Sequence, residues 1–407
     1  MTYDFTTVMD CKGKDALAFE VEAGMNSGML GVRGAKVREG FSVIPMWVAD
    51  MNFATVPTVQ EAIIERVKHP AFGYFLPSDA YYDAIIDWQT RRNKVSNLTK
   101  ECIGYENGVL GGLISTLGTL CSRGDKVLVH APTYVGFTHS LEDNGYDIVL
   151  SFLQKDADGV WRMDYEDMEA KLRNQHIHAA ILCSPHNPTG RVWERWELEK
   201  AMALFKKYDV YVVSDEIWSD LTLEDNQHLP TQMVSDDARM RTVALYAPSK
   251  TFNLAGLIGS YHIIYNPWLR DRVRRESQNP HYNNMNVLSM HALIGAYREE
   301  GHIWVDELRQ VLSDNVNYAV DYIRTHFDGV SVSKPQGTYM LFIDCSDWCE
   351  RHHTTIDALE TAGIEVGVIW QDGRAFHGEN CIRMNLALPH SLIVEAFDRL
   401  EKYVFNK

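Results

Sequence analysis

The feature that most constrains this chain is a series of short, β-branched apolar runs, each closed by a cluster of polar residues and separated by longer amphipathic stretches. Six runs qualify as strands: 126–130 (KVLVH), 147–152 (DIVLSF), 179–183 (AAILC), 210–214 (VYVVS), 243–247 (VALYA) and 260–264 (SYHII). Several are apolar throughout, as strands covered on both faces should be. The segments between them carry helical spacing: in 194–207, Leu198, Ala201, Met202 and Phe205 fall at i, i+3, i+4 and i+7. Such alternation specifies an α/β fold with a mostly parallel central sheet flanked by helices. Beyond residue 286 the pattern changes to long helices (287–299, 303–326) and then a strand (338–344), which predicts a smaller α+β domain. The expected organisation is an N-terminal arm, 1–50, joining the small domain; a large domain, 51–286; and a small C-terminal domain, 287–407.

Charge and cysteine usage narrow the function. Lys and Arg total 39 against 55 Asp and Glu, a net charge of −16 over 407 residues. A chain this acidic repels phosphate backbones, and no basic patch interrupts it, so neither nucleic acid nor an anionic membrane is an expected partner. No run approaches the roughly 18 apolar residues of a spanning helix, and MTYDFTTVMD lacks a cationic segment leading into an apolar one. A cytoplasmic location is expected. The seven cysteines are odd in number and scattered, as reduced thiols are.

Ligands of open α/β sheets sit beyond the carboxyl ends of the strands. There the sequence places Tyr134 after KVLVH, Asn187 in SPHNPTG after AAILC, Asp215 after VYVVS, and Ser249-Lys250 after VALYA. An aromatic ring, an amide, a carboxylate and an amine on one rim are the parts of a pyridoxal 5'-phosphate (PLP) site. A lysine condenses with the PLP aldehyde, and a carboxylate keeps the ring nitrogen protonated so that the ring accepts carbanion electrons. Lys250 and Asp215 fit those roles, Tyr134 fits stacking on the ring, and Asn187 fits a bond to its phenolic oxygen. Gly108-Val109-Leu110 opens an apolar helical pattern, whose first N–H groups and dipole suit a phosphate, and Ser249 adds a hydroxyl. Taken singly, each residue has an ordinary reading: a solvated lysine, a capping aspartate, a turn asparagine, a packing tyrosine. Their order at successive strand ends carries the argument.

The chain resembles fold-type I PLP enzymes of the class I/II aminotransferase group over essentially its whole length, on Ser184–Gly190, Asp215-Glu216 and Ser249-Lys250. The strings MWVADMNF (46–53), FGY (72–74) and APSKTFNLAGL (247–257) resemble the MalY/PatB-type cystathionine β-lyase branch. The resemblance implies a PLP-dependent carbon–sulfur β-lyase, with an aminotransferase sharing every cofactor residue and a non-catalytic PLP-binding regulator as the remaining alternatives. It implies that Arg383, in CIRMN, clamps the substrate α-carboxylate beside Val48 and Ala49. It also implies a homodimer in which Tyr74 reaches the partner's site. Two positions depart from the aminotransferase pattern. Ile258 stands where a phosphate-binding arginine is usual, and Trp218, on the cofactor side, stands where a tyrosine or histidine is usual. Indole N–H donates but neither accepts nor shuttles a proton.

A zinc reading of Cys345, Cys349, His352 and His353 lacks a second ligand pair, and Ser249-Lys250-Thr251 lacks the upstream glycines of a nucleotide loop. No metal is expected. His186 reads as a local cap within its turn.

Overall fold

A computed structural model describes residues 1–281 and 283–406. Its centre is a seven-stranded sheet of β1 (Ile103–Glu106), β2 (Lys126–Ala131), β3 (Asp147–Phe152), β4 (Ile177–Cys183), β5 (Tyr211–Asp215), β6 (Thr242–Tyr246) and β7 (Ser260–Ile263). The spatial order is β1-β7-β6-β5-β4-β2-β3. β7 runs antiparallel to both its neighbours, while the pairs among β2 to β6 are parallel. Helices such as Val109–Leu120, Val135–Asp143 and Arg195–Lys207 pack against it. Both faces of the inner strands are therefore dry, which is why β6 is buried at every position.

The six expected strands form, 147–152 with both ends as expected and the other five with ends shifted by one or two residues, and one shift matters: Asp215 closes β5 instead of following it. β1 was not legible. Its four residues, IGYE, carry neither alternation nor an apolar run, and pairing with β7 makes them a strand.

A second, antiparallel sheet contains β8 (Ser331–Val332), β9 (Met340–Asp344), β10 (Gln371–Asp372) and β11 (Cys381–Asn385), in the order β8-β9-β11-β10. The long helices differ from expectation in where they break. Val287–Ala296 ends early, and Glu299–His326 runs for 28 residues through Gly301. Glu299 and Glu300 in its first turn face the positive end of the helix dipole, which sets the start there.

The N-terminal arm folds back on the chain. Ile44–Pro45 pairs in parallel with Val368–Ile369, and buried Phe5 meets buried Phe53 edge to face at 5.3 Å. Each such buried ring contributes roughly 1.5–3 kcal/mol, more than a two-residue strand pairing supplies alone. Trp47, also buried, donates its indole N–H to the Ala18 carbonyl at 2.9 Å. Gly24 lies flat on that indole, and a Cβ there would stand 2.5 Å from the ring. Among the described residues, no helix is long and apolar enough to cross a membrane.

Candidate active site

The two sheets and the arm meet around a cavity of about 370 Å³. β5 ends in Asp215, and the loop after β6 carries Ser249 and Lys250. The turn after β2 carries Tyr134, the loop after β4 carries Asn187, and the helix Val109–Leu120 points its first turn inward. β11 contributes Arg383, and the arm contributes Val48 and Ala49. All of these residues line the cavity, as do Gly108, Trp218 and Ile258. Tyr74 does not. It is fully exposed in a segment where Phe72 and Leu76 are exposed too.

Electrostatics set the character of the site. Asp215 is 4% exposed, and its carboxylate accepts a hydrogen bond from the Ile217 N–H at 3.1 Å. Burial raises its pKa to about 7, with the Ile217 bond and nearby Lys250 opposing and Glu216 adding to the rise. Lys250 donates from Nζ to the Ala49 carbonyl at 2.9 Å and lies 5.8 Å from the centre of the Trp218 ring. Withdrawal from water and the Arg383 charge lower its pKa to about 8, against the pull of Asp50 and Asp215. A buried acid seeking a cation and an amine close to neutrality thus share one space.

Arg383 is buried and its Nη2 donates to the Trp47 carbonyl at 2.9 Å and to Gln371 Oε1 at 2.6 Å. Nη1 reaches Asn187 Oδ1 at 3.4 Å, while the buried Nε has no partner among the described residues. An orphaned guanidinium N–H on a residue that lines the cavity marks a place for an anion. Asn385 donates to the carbonyls of Val48 and Asp50, both at 2.7 Å, and Asn253 exchanges two bonds with Met51. These clamps hold the arm's Ala49 carbonyl against Lys250.

Gly108 caps the helix with φ +85°, a conformation glycine adopts without strain, and so turns the N–H groups of Val109 and Leu110 toward the cavity. With the Ser249 hydroxyl they form an anion seat that needs no arginine; Ile258, which adopts φ +45°, supplies no charge there. An anion seat, an amine, a buried acid and a partly buried tyrosine ring fit PLP in turn: phosphate, aldehyde, ring nitrogen and ring face. His186 is buried with Nδ1 2.8 Å from Thr189 Oγ1, the local cap its turn predicted.

Several cavity residues escaped the sequence reading, two of them from Arg383's ladder and the arm. Gln371 stands directly across the β10–β11 ladder from Arg383, and Met29 comes from the arm. Neither follows an expected strand or lies within a recognisable string, and only the strand register relates Gln371 to Arg383.

Residues 42–400 match the family model described as aminotransferase class I and II. The chain is 37% identical over 322 residues to cystathionine beta-lyase PatB of Bacillus subtilis, covering 78% of this chain and 82% of that one. It is 31% identical to protein MalY of Escherichia coli over 355 residues, 86% and 88% of the two chains. The crystal structure of the PLP-bound C-S lyase from Staphylococcus hominis superposes with a TM-score of 0.88 at 28% identity, covering 99% of this chain and 98% of that one.

Proposed function

Because the chain belongs to the class I and II aminotransferase family, we propose that it is a PLP-dependent carbon–sulfur β-lyase. It cleaves L-cystathionine or related cysteine S-conjugates to pyruvate, ammonia and a thiol. The observation that carries this reading is one cavity joining Lys250, Asp215 and Arg383 in a chain 37% identical to a cystathionine β-lyase.

Bound PLP supplies a sink for the electrons left on the substrate α-carbon when its proton departs. The protein does the rest. Arg383 takes the α-carboxylate and fixes the α-carbon against Lys250. Lys250 Nζ accepts the α-proton as general base, a task suited to an amine brought near neutrality. The carbon–sulfur bond then breaks with its electron pair on sulfur, and the proton on Nζ is delivered to the departing thiolate. Water completes the conversion to pyruvate and ammonia. With the cofactor bound, Asp215 would hold negative charge toward the ring nitrogen, Asn187 would bond the phenolic oxygen, and Tyr134 would cover the ring face. Trp218 offers only a donor, so proton traffic passes through Lys250.

The reading extends to assembly. Full exposure of Tyr74, with Phe72 and Leu76 beside it, supports a homodimer in which Tyr74 of each copy enters the other's site near the phosphate or the reacting amino acid. The chain divides into the arm, 1–50, a cofactor-binding domain, 51–286, and a smaller domain, 287–407, and works in the cytoplasm. The deciding experiment incubates the PLP-loaded protein with L-cystathionine and no keto acid. Release of pyruvate and free thiol is expected; activity seen only with an added keto acid makes it an aminotransferase.

A further inference from the structure

The bonds around Arg383 leave a conflict. Nη2 carries two hydrogens and both are engaged, one by the Trp47 carbonyl and one by Gln371 Oε1. A carboxylate held by two parallel bonds uses Nη2 together with either Nε or Nη1, so it must displace one of these acceptors. The Trp47 carbonyl does not yield easily. Its neighbour Met46 is fixed by backbone bonds to Ile369 and Asn385, both 2.8 Å, and the Trp47 ring is buried under Gly24. Gln371 is a side-chain amide with rotatable bonds.

Gln371 is also tied elsewhere. It is 5% exposed, and its Nε2 donates to the Met29 carbonyl at 3.1 Å. Met29 lines the cavity with a side chain that is 42% exposed. The arm around it is also held by the Gly31 N–H to Glu360 at 3.1 Å, by the Ala18 carbonyl on Trp47, and by buried Leu30 and Val32 in a cluster with Trp47, Ile364 and Ile369, so the Gln371 bond governs the local turn at Met29 and not the whole arm. One amide group therefore bridges the carboxylate receptor and the arm at the cavity wall.

We infer that Gln371 is a stand-in for the substrate carboxylate: it occupies the Nη2 donor until a carboxylate displaces it, and that displacement releases the arm at Met29. Gln371 is thus a positioning residue. It satisfies a buried guanidinium that would otherwise face the cavity with unused donors, and it makes the state of the arm depend on whether Arg383 holds an anion. The inference rests on the reading of Arg383 as the carboxylate receptor and needs no turnover.

The test uses the PLP-loaded protein and propionate, a carboxylate with no amino group to react. Hydrogen exchange of peptides spanning residues 18–32 is followed by mass spectrometry, and propionate affinity by calorimetry. In wild type, propionate should speed exchange around residues 28–32. In Gln371→Leu, exchange there should be fast from the outset and insensitive to propionate, which should bind about tenfold more tightly for want of a competitor. Gln371→Glu keeps the polar shape but pairs permanently with Arg383, so propionate should bind at least about tenfold more weakly. Exchange that is unchanged or slowed by propionate in wild type overturns the inference. So does weaker binding in the leucine variant or undiminished binding in the glutamate variant. A protein that shows the expected propionate response yet releases no thiol from cystathionine would sink the lyase reading alone.

Discussion

Asp215→Asn keeps the shape of the side chain and removes its charge, so it isolates what burying that charge does. Burial raises the Asp215 pKa from 3.8 to about 7, which at about 1.36 kcal/mol per pH decade is roughly 4 kcal/mol against the ionised form in the cofactor-free protein. The folded state keeps this proton at pH values where the unfolded chain has released it. Stability from this group is therefore fully present below about pH 4, falls as pH rises toward about 7, and stays low above. Between pH 5 and pH 8 the cofactor-free wild type should lose roughly 2–3 kcal/mol that the asparagine variant does not lose. Urea unfolding of both proteins at both pH values reads this directly. PLP reverses the ranking, because a protonated ring nitrogen gives the carboxylate its partner. Removing one side of a buried pair costs about 3–5 kcal/mol, so the variant should bind PLP at least about a hundredfold more weakly. Parallel pH dependence in the two cofactor-free proteins would refute the argument that Asp215 is a buried acid awaiting a cation.

Three further outcomes are expected. PLP uptake by the cofactor-free protein needs the neutral amine of Lys250, whose pKa is lowered to about 8; the rate should climb with pH, reach half its maximum near pH 8 and level off above, and a flat stopped-flow profile across that value counts against the assignment. Arg383→Lys loses the paired geometry and one bond to a charged group, about 1.5–3 kcal/mol, so KM for the amino acid should rise at least about tenfold with the cofactor absorbance unaltered. An unaltered KM would place the carboxylate elsewhere. Tyr74→Ala and Lys250→Ala should each be inactive or nearly so, yet mixing the two after reversible dissociation should restore about a quarter of wild-type activity, since each mixed dimer has one intact site. No recovery on mixing would show that Tyr74 does not act across an interface.

The sequence alone determined six of the seven strands of the central sheet and its ligand rim. Runs such as VYVVS and VALYA are apolar throughout because both sheet faces are covered, and that requirement writes itself into consecutive residues. The positions of Tyr134, Asn187, Asp215 and Lys250 followed from the rule that parallel strands present their carboxyl ends on one side, and all four line one cavity. β1 stayed hidden because four residues carry too little periodicity and their pairing with β7 is non-local. What only the tertiary structure decided lies across chain separations that no local pattern spans. Gln371 meets Arg383 through a strand register, and the Ala49 carbonyl meets Lys250 through the arm, 201 residues away in sequence. The shifts of Asp215 and Lys250 are of the same kind. They arise from water excluded by several elements at once, and exclusion of water is a property of packing that a one-dimensional string does not contain.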